Sequence, residues 1–367
     1  MPGHYRVAII GLSDIAAGKA RTAPHPALGG ATPYSHASAY ARVPGCEVVA
    51  ACDVNPASRE RFLTNWGSTW PGARLYDDAE EMLAKETPDI VSVATPDHLH
   101  ADFVVRACEL GAKAILCEKP LATTLADCDR MIAAVNAHNV KMNVDHTRRW
   151  LGTWWDAKAA IKAGAIGEVR QVIGFLGGPR AMLFRNGTHV VDLINFFAEG
   201  TPVWVSGEIE EGFDHLRNGF VESNAHDPNS EPGANAQIGY DNGVRGTYLG
   251  MKGALADVGA TVIGSEGRIE ISRVAERIVV TTKDGLAERP LYLDPIGFRG
   301  EYETPGIAGA VADLIRAVET GGPTISPPEE ARKAVAVLQG ILRSHFLQGR
   351  RVRVPGPGED YPPIPEA

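Results

Sequence analysis

No apolar run in this 367-residue chain approaches the ~20 residues that a bilayer-crossing helix needs. The N-terminus, Met1-Pro2-Gly3-His4-Tyr5-Arg6, lacks the charged-then-apolar pattern of a secretory signal and leads straight into a strand-like run. A cytoplasmic protein is the resulting expectation. There is no basic cluster, and the formal net charge is -9. That balance argues against nucleic acid or an acidic membrane surface as a partner. No CxxC pair occurs, and the five cysteines (Cys46, Cys52, Cys108, Cys117 and Cys128) are an odd number set mostly in apolar contexts. They read as reduced core residues rather than disulfides or metal ligands. No metal is expected either, because His98 and His100 stand close together without a carboxylate or cysteine set to complete a site.

What is present is a chain long enough for two domains at ~150 residues each, both able to bury a core. The first strand, Arg6 to Gly11, delivers the chain to Gly11-Leu12-Ser13-Asp14-Ile15-Ala16. A dinucleotide turn has the pattern G-x-G-x-x-G, which brings backbone amides close to a pyrophosphate. Only the first glycine is kept here, with the small Ser13 and Ala16 at the other two places, so this motif alone is weak. The turn-rich segment Gly18 to Ser35 reads as a loop, either a cover over the site or an inert excursion. A second strand ends at Asp53, farther from Gly11 than the ~20 residues of the usual fingerprint; the inserted loop accounts for much of the excess. A carboxylate there accepts hydrogen bonds from ribose hydroxyls and repels a 2'-phosphate, favouring NAD. Arg59 and Arg61, on the next helix, keep NADP open.

Helical patterns follow at Pro56 to Asn65 and Asp78 to Glu86. Next comes Pro88 to Thr95, a β-branched apolar run that stops at Thr95-Pro96 in the manner of a buried parallel strand. Ala101 to Leu110 carries apolar residues at helical spacing and closes at Gly111. The strand Ala114 to Cys117 then opens into Glu118-Lys119-Pro120. The two loops of this strand-helix-strand unit hold His98, His100, Glu118 and Lys119 at the carboxyl ends of the strands, where open α/β sheets bind ligands. On its own, Lys119 would read as a solvated strand-end lysine. A helix at Leu125 to His138 and a strand at Val140 to Val144 lead to Asp145-His146-Thr147-Arg148-Arg149-Trp150, taken as the domain junction. His146 and Arg149 are either cleft residues or parts of an interdomain salt bridge covered by Trp150.

Beyond a helix from about Thr153 to Ala163, strand-like runs recur at Val169 to Phe175, Val203 to Ile209, Ala234 to Tyr240, Arg245 to Leu249, Val258 to Ile263, Gly267 to Ile271 and Arg277 to Thr282. Asp241-Asn242-Gly243 is a hairpin signal. A sheet of this kind has one face covered by helices and one left open. Glu210 to Pro232 reads as a long loop and Pro355 to Ala367 as a tail. In Arg185-Asn186-Gly187-Thr188-His189-Val190-Val191-Asp192, Gly187-Thr188 opens a helix, with His189 in its first turn and Asp192 three residues on. A histidine so placed is more often structural than catalytic. The tryptophans Trp150, Trp154 and Trp155 can stack on a sugar or belong to the core.

Glu118-Lys119-Pro120 after two strands, with the Thr95-Pro96-Asp97-His98-Leu99-His100 loop, resembles the Gfo/Idh/MocA oxidoreductases, named for glucose-fructose oxidoreductase and inositol dehydrogenase. The resemblance extends to His36-Ala37-Ser38-Ala39-Tyr40, Ile166-Gly167-Glu168-Val169 and Gly187 to Asp192, and to Pro328 to Phe346 as a closing helix. It implies an α/β protein with a Rossmann domain at 1–146 and a C-terminal α/β domain at 147–367 bearing a large, mainly antiparallel open-faced sheet for substrate binding and oligomerisation as a homodimer or homotetramer. It implies NAD(P)-dependent oxidation or reduction of a sugar, polyol or related alcohol. Lys119 and His189 become the catalytic pair. Gly11, Ser13, Asp53, Thr95, Pro96, His100, Glu118, Lys119 and Arg149 become cofactor contacts, and His146, Arg149 and Arg185 join the pair in the substrate pocket. The family commonly has an aspartate four residues before the histidine, where this chain has Arg185. Lys119 and His189 then suffice, or another acid such as Asp192 supports them, or Arg185 reads an anionic substrate group. Two rival readings stay open: a glycoside hydrolase with transient oxidation by bound NAD and no net redox, and a non-catalytic nucleotide-binding regulator.

Overall fold

In the computed structural model the described residues are 3–19, 34–221, 227–272, 277–282, 285–291 and 306–364. Strands β1 (Tyr5–Ile10), β2 (Cys46–Cys52), β3 (Arg74–Tyr76), β4 (Ile90–Val93), β5 (Ala114–Cys117) and β6 (Lys141–Val144) form one parallel sheet in the order β3-β2-β1-β4-β5-β6. That is the Rossmann strand order. The central strands are buried on both faces, which explains why β4 and β5 lack polar alternation: β5 is wholly apolar, and β4 is apolar except for the buried Ser92.

The helices of this unit begin where the sequence supplies caps. α1 (Asp14–Ala17) is a single turn, and α2 (His36–Arg42) starts on a reciprocal Ser35–Ser38 capping box. Asn55 caps α3 (Pro56–Trp66), with Pro56 at its first position. Asp78 caps α4 (Ala79–Glu86), whose Glu80 and Glu81 stand in the first turn and Lys85 in the last, matching the helix dipole. α5 (His100–Glu109) and α6 (Leu125–Ala137) lie where the apolar spacing places them.

The expected cut at 146/147 differs from the compact units observed, which are interleaved. The first unit takes in 147–150 and, much later, 306–329, including α9 (Ile307–Thr320), which packs on α2, β5 and β6. A buried polar knot holds α9 there. Asp313 accepts from Asn143 Nδ2 at 2.9 Å, from the Ile325 amide at 2.8 Å and from Arg316 Nη2 at 2.6 Å, while Asn143 Oδ1 accepts from the Ser326 amide at 3.1 Å. Trp150 is 1 % exposed within the same core as Ile307 and Leu314, so it is a core residue of this unit.

The second unit comprises most of 151–291 and 330–364. After α7 (Gly152–Lys162), strands β7 (Val169–Gly177), β8 (Pro202–Ile209), β9 (Ala234–Tyr240), β10 (Arg245–Met251), β11 (Val258–Gly264), β12 (Gly267–Ser272), β13 (Arg277–Thr282), β14 (Gly285–Leu291) and β15 (Val352–Arg353) make a nine-stranded sheet. Its order is β14-β13-β12-β11-β7-β10-β9-β8-β15. Only the β7–β10 pair is parallel among these strands. Helix α8 (Gly187–Ala198), buried throughout, lies across β7, β10 and β11. Glycines in the strands permit that approach: a Cβ on Gly174 would sit 2.6 Å from Val190 Cγ1, and one on Gly246 2.8 Å from Ile194 Cγ2. Helix α10 (Pro328–Phe346) closes the chain. The segment read as a tail is instead tied to α10 in part. Arg332 donates to the carbonyls of Pro355, Gly356 and Glu359, and Tyr361 donates to that of Ala336. Among the described residues no helix is long and apolar enough to cross a membrane.

Candidate active site

The carboxyl edge of the first sheet collects the chemistry, because each strand there ends in a polar or glycine-bearing loop. Gly11 follows β1 with φ +85°, and a Cβ would lie 2.5 Å from the Ala94 carbonyl oxygen. Glycine is therefore required at this crossing of two loops. At the end of β2, Asp53 Oδ2 accepts from the Leu12 amide at 2.8 Å and Oδ1 from the Asn55 amide at 2.8 Å. The carboxylate is thus fixed beside the glycine turn. Arg59 and Arg61 donate to backbone carbonyls of the same region, Arg61 Nη2 reaching Leu12 O at 2.6 Å and Arg59 Nη1 reaching Asp53 O at 2.5 Å. Ser13 is exposed at the start of α1. The Gly18 to Ser35 segment is described only at its ends, where Ser35 Oγ donates to Gly18 O at 2.6 Å; residues 20–33 lie outside the described part.

After β4, Thr95 is half-buried and Pro96 exposed, and Thr95 Oγ1 is buried without a hydrogen-bond partner. His100 differs from expectation. Its ring is fully buried, with Nε2 3.1 Å from Thr95 O and Nδ1 3.1 Å from Pro120 O, so it ties the loops after β4 and β5 together instead of facing a cofactor. After β5, the Lys119 ammonium lies 3.7 Å from Glu118 Oε2, with side-chain exposures of 11 % and 8 %. The Lys119–Pro120 peptide is cis.

Behind Lys119 the fold assembles a group that sequence reasoning missed. His36 Nε2 from α2 is 3.2 Å from Glu118 Oε1 and 3.7 Å from Asp145 Oδ2, at the end of β6. On its other side, His36 Nδ1 is 3.0 Å from Ser92 Oγ, itself 2.8 Å from the Tyr40 hydroxyl. The three residues hold ligand-type atoms within 4.8 Å of one another, unlike the His98 and His100 pair considered from the sequence. Burial, with the neighbouring Glu118 charge adding to it, pushes the Asp145 carboxyl up to about 7. In the sequence His36 and Glu118 stood out only separately, in two segments of the family resemblance. Their meeting depends on the strand order. All five cysteines are free, and burial pushes Cys46, Cys52 and Cys108 up to about 12, which removes them as nucleophiles.

His146 and Arg149 belong to the first unit and are buried; Arg149 Nη1 donates to Ile325 O at 3.2 Å. In the second unit, α8 begins at Gly187 as its composition suggests and carries His189, 8 % exposed, in its first turn. Asp192 is fully buried. Its charge adds to burial in raising Tyr240, whose hydroxyl donates to Asn195. Arg185 is half-buried just before α8. The loop there is fixed by Glu231, whose wholly buried carboxylate accepts from the Phe184 amide at 2.6 Å and the Arg185 amide at 3.0 Å. Glu231 was not singled out in the sequence, lying inside a stretch read as loop.

The strand order, the glycine turn and the Glu118-Lys119 loop coincide with two family descriptions. Residues 5–146 match "Oxidoreductase family, NAD-binding Rossmann fold" and residues 154–270 match "GFO/IDH/MocA C-terminal domain". The chain belongs to the Gfo/Idh/MocA oxidoreductase family. Among curated members, a D-apiose dehydrogenase of Paraburkholderia graminis is 34 % identical over 177 residues, 44 % of this chain and 46 % of the relative. An inositol 2-dehydrogenase of Gluconacetobacter diazotrophicus is 34 % identical over 129 residues, 35 % of this chain and 37 % of the relative. The matched regions therefore span less than half the length of these two relatives. Solved structures share the fold over nearly the whole chain. An oxidoreductase domain protein from Kribbella flavida gives a TM-score of 0.75 at 20 % identity, covering 97 % of this chain and 100 % of that one. A levoglucosan dehydrogenase complexed with NADH and levoglucosan gives 0.74 at 20 % identity, covering 96 % and 99 %. In this Gfo/Idh/MocA chain the Arg185 amide has a buried partner in Glu231.

Proposed function

We propose that this protein is an NAD(P)-dependent oxidoreductase acting on a hydroxyl or keto carbon of a sugar, polyol or sugar derivative, with Lys119 as its proton-transfer group. The observation that carries this reading is the position of Lys119, at the carboxyl edge of a Rossmann-ordered sheet and in an ion pair with Glu118. The likeness to a D-apiose dehydrogenase and an inositol 2-dehydrogenase supports the substrate class.

The residues present fit a nicotinamide dinucleotide. Gly11 makes the left-handed turn after β1 that packs directly on the Ala94 backbone, Asp53 is fixed beside that turn as a ribose acceptor, and the unpartnered Thr95 Oγ1 sits at the end of β4. When bound, the cofactor supplies the acceptor or donor of a hydride. Lys119 Nζ takes the hydroxyl proton during oxidation and returns it during reduction, a role worth about 10²- to 10⁴-fold in rate. Glu118 holds the ammonium through its second oxygen. Arg149 and His146, buried in the same unit as Lys119, shape the cofactor side, and His189, in the first turn of α8, is the second unit's candidate for proton transfer. The Asp53 carboxylate disfavours a 2'-phosphate, so NAD is preferred over NADP. The open face of the second sheet, lined by Ser206, Glu208, Asn235 and Gln237, receives a second copy of the chain, which light scattering on the purified protein checks.

The decisive experiment measures binding of NAD(H) and NADP(H), then screens sugars, inositols, uronates and glycosides for reduced-cofactor absorbance, with Lys119→Ala beside the wild type. Turnover that falls at least 100-fold in Lys119→Ala, with NAD affinity retained, is the expected result. Tight NAD binding with release of an aglycone and no net redox would replace this reading with a hydrolytic one. Undiminished turnover in the variant would remove Lys119 from the chemistry.

A further inference from the structure

We propose that His36, Glu118 and Asp145 form a buried proton-holding cluster whose charge sets the basicity of Lys119, making His36 and Asp145 positioning residues for the reaction. The proposal rests on Lys119 being the proton-transfer group, and its test separates the two claims.

The argument begins with the number of charges the pocket can hold. Glu118 and Asp145 flank one imidazole, with His36 Nε2 3.2 Å from the first and 3.7 Å from the second. All three residues are buried, His36 completely, so two adjacent carboxylates cannot both ionise cheaply. One hydrogen-bond assignment satisfies the chain with a neutral imidazole. The Tyr40 hydroxyl donates to Ser92 Oγ, the Ser92 hydroxyl to His36 Nδ1, and His36 Nε2–H to Glu118 Oε1. Glu118 is thereby kept as the ionised partner of Lys119. Asp145 receives one hydroxyl, from Thr147 Oγ1 at 3.1 Å on Oδ1, and its Oδ2 has no hydrogen-bond partner. It is therefore the member that carries the exchangeable proton.

The other charged and titratable groups around the cluster come from three elements. Lys119 and Glu118 extend from β5, which ends in Cys117, His36 and Tyr40 belong to α2, and Asp97 lies in the turn after β4, its charge acting with that of Glu118 on Cys117. Lys119 is the one cation in this set that does not need His36 to protonate. When Asp145 loses its proton the cluster becomes more negative and the Lys119 ammonium is stabilised; when Asp145 is protonated, Lys119 releases its proton more readily. No proton is created or lost in this coupling. A proton taken from the substrate hydroxyl resides on Lys119 Nζ, and the Asp145 charge decides how firmly it is held.

The test follows the Lys119 side-chain carbon next to Nζ by NMR in the full-length protein without substrate, assigned with Lys119→Arg, in wild type, Asp145→Asn and His36→Gln. Asparagine keeps the shape of aspartate and removes its charge. The wild type is expected to show a second inflection near neutral pH. Asp145→Asn should abolish it and lower the Lys119 pKa by about one unit, the order expected for one charge acting through an effective dielectric of about 20. The limb of the kcat/KM profile for oxidation that rises with pH as Lys119 loses its proton should move to lower pH by the same amount. His36→Gln, if folded by circular dichroism, should also displace the inflection. Identical Lys119 titrations in wild type and Asp145→Asn would overturn the proposal. So would a stoichiometric metal in the purified protein whose removal by chelator reproduces the Asp145→Asn shift. Turnover that survives Lys119→Ala while the NMR difference remains would overturn the assigned catalytic role and leave the cluster standing.

Discussion

Asp145 illustrates how one residue's surroundings become a property of the whole protein. Its carboxyl is raised from 3.8 to about 7 by burial first and by Glu118 second, so between those values the native chain binds more protons than the unfolded one. The sign follows. Stability falls as pH rises from about 4 to about 7, and above that range the full cost of burying the ionised group is present. Asp145→Asn removes the titration. Relative to wild type, the variant is expected to gain stability between pH 5 and pH 8, read as a difference in urea midpoint at the two pH values. A difference that is the same at both would mean that Asp145 is ionised in the folded state throughout. Single residues were also where the sequence was least complete as a guide. Lys119 and Gly11 stand out by motif and position, but His36 lies 82 residues from Glu118 and gains its meaning from a helix laid over the strand ends. His100, which motif reasoning pointed toward the cofactor, is fully occupied by three backbone carbonyls.

Elements were far more legible, because periodicity and caps act locally. The apolar runs before Thr95 and Glu118 become β4 and β5, and Asn55-Pro56 and Asp78 start helices where their side chains reach backbone amides. The three-residue β3 escaped notice, being too short for alternation to register. Helix α9 escaped as well, although its apolar face is strong, because it returns to a unit begun 300 residues earlier. The contact between α8 and its sheet was legible only as isolated glycines. Gly174 has Val190 Cγ1 2.6 Å and Ile194 Cγ1 2.9 Å from where a Cβ would stand, so a side chain there must push the helix outward. Gly174→Val is expected to cost about 1–3 kcal/mol of stability, as overpacked cores do. With His189 of α8 in its proposed role, the KM for substrate should rise while NAD affinity is unchanged. Gly253→Ala, whose Cβ would meet nothing within 4 Å, serves as the control and should stay within about 0.5 kcal/mol of wild type. Equal effects from the two substitutions would mean that α8 is not held at its present height by the glycine.

At the scale of the molecule, the two-part plan could be anticipated from length and from the change in strand pattern, but the path of the chain between the parts could not. A boundary after residue 146 looks natural, because the last parallel strand has just ended and an Arg-rich turn follows. The Rossmann unit nevertheless depends on residues 306–329. Ile307, Ala308, Ala310, Val311 and Leu314 are buried in the same core as Val7, Ile9, Tyr40 and Leu116. The Asn143–Asp313 pair ties that helix to β6 through buried hydrogen bonds that neither partner can replace with water. A fragment ending at residue 150 therefore leaves a strip of apolar core open and Asn143 unsatisfied. It should collapse without fixed packing: helical by far-UV circular dichroism, flat in the near-UV, binding a hydrophobic dye, and unable to bind NAD. Joining residues 306–329 to the same fragment through a flexible linker should restore cooperative unfolding and cofactor binding, since the cost of closing such a loop grows only by about 0.6 kcal/mol per doubling of its length. A fragment of residues 1–150 that unfolds cooperatively and binds NAD as tightly as the full chain would show that α9 is an accessory to the nucleotide fold rather than a part of it.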